Sequence, residues 1–150
     1  MPGRSFSKII QLGLLILATT IAATSYAKPP TYTCPDSAEK FWNEFRQAAI
    51  NSDLPALTRM TQFPLPIYGT LGDNPIKTIN QNDFKKILPE LMTTDPGMSE
   101  KPSSMKIYIQ DIETLPPMAC NESGEQIRVG SWLFILKDNK WSLTRAYLEE

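Results

Sequence analysis

Asp111 and Glu113 stand two residues apart just before Pro116-Pro117, and on a strand end that spacing projects two carboxylates to one side. At the mouth of a pocket, one of such a pair has its pKa raised and serves as a general base beside a tyrosine. Tyr68, Tyr108 and Tyr147 are available for that role, and Asp83 is a third acid for a pocket. On a solvated strand end the same acids do no chemistry. A second group carries recognition chemistry. Trp132, Trp141, Tyr68, Tyr147 and Arg145 are of the types that supply much of the energy of binding, and equally of the types that fill a sheet core. Read as strand alternation, Arg145 shares a face with Trp141, Leu143 and Tyr147. It must then find a carboxylate, receive one from a ligand, or reach the edge.

The chain contains no histidine. That removes Ser-His-Asp and Cys-His nucleophile pairs, histidine zinc sites and the usual general base near neutral pH. Two cysteines without histidine do not make a structural zinc site, so neither a metal nor a cofactor is expected, and no residue is assigned as catalytic. Catalysis would fall to carboxylates, tyrosines or lysines.

Arg4 and Lys8, the apolar run 9–23 broken by Gln11, Gly13, Thr19 and Thr20, and the small-x-small Ser25-Tyr26-Ala27 together read as an export signal cleaved between Ala27 and Lys28. The run is short of the roughly 20 residues of a spanning helix, and the first cysteine, Cys34, stands too far from the cleavage point for a lipid anchor. Export predicts a periplasmic or secreted protein and places Cys34 and Cys120 where disulfides persist. One pair allows one connectivity. Closing so long a loop adds on the order of 4 kcal/mol by the chain-entropy model and ties the N-terminal segment to the sheet. Cleavage leaves 123 residues with 13 basic and 16 acidic side chains, a formal charge of −3. One domain of that size suits one core. Weak acidity without a basic cluster excludes nucleic acid as a partner, and the absence of charge runs argues against a membrane surface after cleavage.

The elements that must position these residues follow from the patterning. Residues 28–36 are a Pro-rich extended lead-in, and 37–150 form the single domain. Asp36 and Glu39 have capping-box spacing, and Phe41, Phe45, Ala48 and Ala49 fall on one helical face. Asn51-Ser52-Asp53 ends the first helix and offers a cap for a short second one that tolerates Pro55 in its first turn. The alternating 63–68 stretch carries Pro64 and Pro66, which predicts an edge or irregular strand, and 76–79 returns beside it. Asn80 and Asp83 open a helix with Phe84, Ile87, Leu88, Leu91 and Met92 on its apolar face, kinked or divided at Pro89. The alternation in 105–112 predicts a strand, and 126–137 a long one, joined through Asp138-Asn139 to a last strand in a two-residue hairpin. The long strand is apolar on both faces, with Leu133 and Ile135 opposite Trp132, Phe134 and Leu136. The second face needs cover from within the chain or from another subunit. Asn121-Glu122-Ser123 is a glycosylation sequon, relevant only where exported proteins are glycosylated.

The stretches FWNEFRQAAINSDLPALTRM, FPLPIYG, NDFKKILPELM and LFILKDNKWSLTRAYL, in that order, resemble the NTF2-like superfamily across essentially the whole mature chain. The resemblance implies an α+β fold in which a long curved antiparallel sheet wraps about three helices into a cone with a pocket. The superfamily holds isomerases, dehydratases, transport factors and interaction modules, so the fold alone does not select a function. Its enzymes generally set an Asp beside a His or Tyr in the cone, and the His is missing here. The expected function is an exported, non-enzymatic binding or protein-interaction domain. It would take a small apolar or amphipathic ligand, a protein partner or a second copy in a homodimer, with Tyr68, Tyr108, Asp111, Trp132 and Arg145 as contact residues. The alternatives are a small-molecule isomerase or lyase using a pocket carboxylate and a tyrosine, and an immunity or inhibitor protein against an exported enzyme.

Overall fold

Phe41, Phe45, Ala48 and Ala49 do share one buried helical face, joined there by Ala38 and Trp42. This helix, α1 (Asp36–Ile50), begins one residue earlier than capping by Asp36 would have it. Asp36 lies inside the first turn, where its charge still complements the helix dipole. The Glu39 carboxylate instead accepts the Leu115 N–H at 3.2 Å, fastening the helix start to a distant loop. The computed structural model describes residues 32–69, 71–97 and 103–149. The export signal 1–27, its cleavage point at Ala27–Lys28 and the first part of the 28–36 lead-in lie outside the described residues.

Beyond α1 come α2 (Leu54–Arg59), β1 (Leu65–Gly69), β2 (Pro75–Ile79), α3 (Gln81–Thr93), α4 (Met105–Asp111), β3 (Gln126–Val129), β4 (Trp132–Lys137) and β5 (Lys140–Leu148). Asp53 caps α2 as expected, its Oδ1 accepting the Ala56 N–H at 3.0 Å. Asp138 and Asn139 take φ of 50° and 60°, the positive values that a two-residue β4–β5 hairpin demands. Pro89 sits within α3 without dividing it.

Four expectations are corrected. The 105–112 stretch is helix α4, not a strand. Its apolar residues satisfy both periods, and Met105 and Ile109, four apart, are the pair buried. Ser104 Oγ accepts the Ile107 N–H at 3.4 Å as an N-cap. The Arg46 guanidinium donates to the carbonyls of Ile109 and Gln110 at 2.9 and 2.8 Å, closing the other end. The single strand over 126–137 is in fact two, β3 and β4, because the chain turns at Gly130-Ser131. Gly130 has φ of 54°, and glycine at the first position of a two-residue loop is a hairpin signature.

Third, of the two alternatives for β1, edge or irregular, the edge is excluded and the irregular one is met, by a register shift between Ile67 and Tyr68. The sheet order is β2-β1-β5-β4-β3. Pairing with β5 starts only at Ile67, so Pro66 faces a single neighbouring strand, β2, and its missing N–H is tolerated. Fourth, the sheet is mixed and not wholly antiparallel, since β1 runs parallel to β5.

One face of this sheet is buried under the helices. Leu65, Ile67, Ile127, Val129, Trp132, Phe134, Trp141, Leu143, Ala146 and Leu148 join the α1 face, Leu57 of α2, the Phe84 side of α3 and Met105 and Ile109 of α4 in one core. Its centre is aromatic. Phe45 meets Phe134 at 4.8 Å and Trp132 at 5.5 Å edge-on, and Phe41 meets Phe134 at 5.4 Å. Each such pair contributes about 0.5–1.5 kcal/mol beyond area burial. The Cys34–Cys120 disulfide, with Cα atoms 5.4 Å apart, ties the lead-in to a residue bridged to Ile127 of β3. The N-terminal segment is thereby held to the sheet.

Candidate functional site

A β-bulge between Leu133 and Phe134 of β4 shifts the register against β5. Along β5, Trp141 and Leu143 are buried, and after the shift so are Ala146 and Leu148. Arg145 therefore does not share a face with Trp141 and Leu143. It stands with Tyr147 on the opposite, outer face of the sheet, clear of the core.

Four side chains meet there. Tyr68 and Tyr147 are paired across the β1–β5 ladder, with ring centroids 5.7 Å apart. The Arg145 guanidinium lies 4.3 Å from the Tyr68 ring centroid, and its Nη1 donates to Tyr147 Oη at 3.3 Å. Arg128 of β3 brings its guanidinium 4.7 Å from the Tyr147 ring centroid. The result is a ladder in which each cation sits against a tyrosine face, a contact of about 0.5–1 kcal/mol at exposed sites. The hydrogen bond that Arg145 donates to Tyr147 pushes the Arg145 pKa up, with partial burial opposing it. Among the described residues the ion pairs are Lys77–Glu90 and Lys86–Asp83, so neither arginine of the ladder has a carboxylate partner.

Arg128, Leu133 and Arg145 form one cross-strand row. Leu133 is 7% exposed although it points away from the core, while Ile135 on the same face is half-buried. Arginine stems flanking an apolar residue cover it while their head groups stay wet.

The other singled-out residues lie elsewhere. Trp132 is fully buried among the core aromatics, so it presents no surface to a partner. Asp111 is exposed in the last turn of α4 and Glu113 is exposed beyond it. A two-residue step on a helix does not align side chains, and the carboxylate pair dissolves with the strand that was to hold it. Asp83 is bonded to Lys86 at 2.7 Å. Tyr108 is half-buried on α4, with Cδ1 3.2 Å from where a side chain on Gly130 would begin, and burial pushes its hydroxyl pKa up. Arg128 is the ladder member that sequence reasoning passed over. Its place between Ile127 and Val129 on an alternating strand is the signal that exposes it.

Among the described residues the buried polar residues are Thr61 and Ser131, neither of them ionisable, and the buried Trp132 Nε1 has no hydrogen-bond partner. The outer face presents tyrosine rings and two guanidiniums that, among the described residues, make no ion pair. No protein-family model matches the chain, and no curated protein or solved structure matches it.

Proposed function

We propose that the chain is an exported, non-enzymatic NTF2-like domain that binds an acidic protein partner through the outer face of its sheet. The observation that carries this reading is the Tyr68–Arg145–Tyr147–Arg128 ladder, whose two guanidiniums are oriented by aromatic stacking and, among the described residues, lack carboxylate partners. Arginine and tyrosine on strands are low-entropy anchors for an interface. The Cys34–Cys120 disulfide supports an oxidising compartment. The succession of two helices, hairpin, helix and closing strands around α1 supports the NTF2-like resemblance.

An exported enzyme with an acidic rim suits this surface, which keeps the inhibitor or immunity reading as a special case. A second copy suits it less, because an isologous dimer would set arginines against arginines. The isomerase or lyase alternative has no support from a buried carboxylate. The test is affinity capture from an extract of the source compartment with the unaltered protein and with Arg145→Glu. A partner retained by the former, released by salt between about 0.05 and 0.5 M, and lost about tenfold from an equally stable variant supports the reading. Equal retention by both proteins overturns it.

A further inference from the structure

The β3–β4 turn and the segment after α3 enclose a cleft of about 140 Å³ whose walls include Asp95, Arg128, Ser131, Tyr147 and Glu149. Water in the liquid occupies about 30 Å³ per molecule, so this is room for a small organic ligand. The walls are well fixed. The Thr94 carbonyl accepts the Met105 N–H at 2.8 Å, and Asp95 Oδ1 accepts the Gly97 N–H at 2.6 Å. A side chain at Gly130 would meet Pro96 Cβ at 3.0 Å, which measures how closely the turn is pressed against this segment.

Two features of the cleft are unexplained by folding. Ser131 is 5% exposed and its Oγ has no hydrogen-bond partner, a state that costs stability in a native protein. Arg128 uses Nε for a long bond to the Gly130 carbonyl at 3.4 Å and stacks on Tyr147, leaving its terminal nitrogens without an anion. Across the same cleft stand two carboxylates, Asp95 and Glu149. Positive and negative groups lining one small space, neither ion-paired among the described residues, match a ligand that carries both charges.

We propose that this cleft binds a small α-amino acid. The ligand carboxylate lies against the Arg128 guanidinium, whose planar fork suits it. The ammonium faces Asp95 and Glu149. The Ser131 Oγ is closed off from the cleft in the unliganded protein, and the proposed complex has it turn to the carboxylate by a χ1 step between staggered wells. The site uses Arg128 and Tyr147 of the ladder but does not depend on a protein partner.

Calorimetric titration with glycine, L-alanine and L-serine, with acetate and methylamine as singly charged controls, tests the proposal. At least one amino acid is expected to bind, with acetate and methylamine at least about tenfold weaker. Arg128→Gln is expected to weaken the amino acid about tenfold or more. Lys40→Gln, exposed on α1 and no part of the ladder or the cleft wall, leaves it unchanged. Ser131→Ala is expected to melt higher than the unaltered protein without ligand and to gain less from ligand, since a methyl needs no partner. Absence of binding by all three amino acids, equal binding of acetate, or an Arg128→Gln variant of unaltered affinity overturns it. Because Arg145→Glu tests the protein interface and Arg128→Gln the cleft, either proposal can fail alone.

Discussion

At the scale of single residues, Gly130 and Tyr108 have predictable chemistry. A methyl group at Gly130 would meet Met105 Sδ at 2.6 Å and Pro96 Cβ at 3.0 Å, at a φ of 54° that side chains rarely adopt. The sulfur can swing aside, but the proline cannot. Gly130→Ala is therefore expected to cost about 1–3 kcal/mol, measured as a lower urea midpoint at unchanged slope. Tyr108 is held by burial above its ordinary pKa of 10.0. A raised folded-state value means that the folded protein keeps the proton longer than the unfolded one. The stabilisation is thus complete below about pH 10 and is lost as pH rises through the folded value. Ultraviolet titration should show one tyrosine ionising late in the folded protein, with the late step absent from Tyr108→Phe.

At the scale of elements, α4 shows what a sequence can and cannot disclose. Met105, Ile107 and Ile109 alternate as a strand does, while Met105 and Ile109 are also one helical turn apart. Only packing chooses, and it chooses the helix by leaving Ile107 exposed. Ser104→Ala should cost about 1 kcal/mol by removing the N-cap, seen in chemical denaturation together with faster amide exchange across 105–111. The α1 face, the Asp53 cap and the Asp138-Asn139 hairpin were legible because each depends on neighbours in the chain. The ladder was only partly so. Tyr68, Tyr147 and Arg145 drew notice by type, and their two-residue step puts Arg145 and Tyr147 on one face, but that this face is the outer one depends on a bulge opposite Leu133, and nothing in the β5 sequence marks it. Glu113 and Asp111 were misread for the same reason that α4 was, since a carboxylate pair is defined by the element beneath it.

At the scale of the whole molecule, the disulfide and the sheet closure decide robustness. Cys34 and Cys120 are 86 residues apart, and the chain-entropy model assigns a loop of that length about 4.5 kcal/mol. Reduction, or Cys34→Ser with Cys120→Ser, should lower unfolding free energy by about 2–5 kcal/mol in guanidinium titrations. The effect should be largest in amide exchange at the lead-in and at β3, the two regions that the bridge joins.

The parallel junction between β1 and β5 has a consequence in time. Ile67 pairs with Ala146, and Gly69 with Leu148, so the hairpin of β1 and β2 has no neighbour on its inner side until β5 has been synthesised. Strand pairings that span such separations form slowly and leave an open edge meanwhile. For this protein the interval falls before the last strand arrives, when Ile67 of β1 still lacks its eventual neighbour.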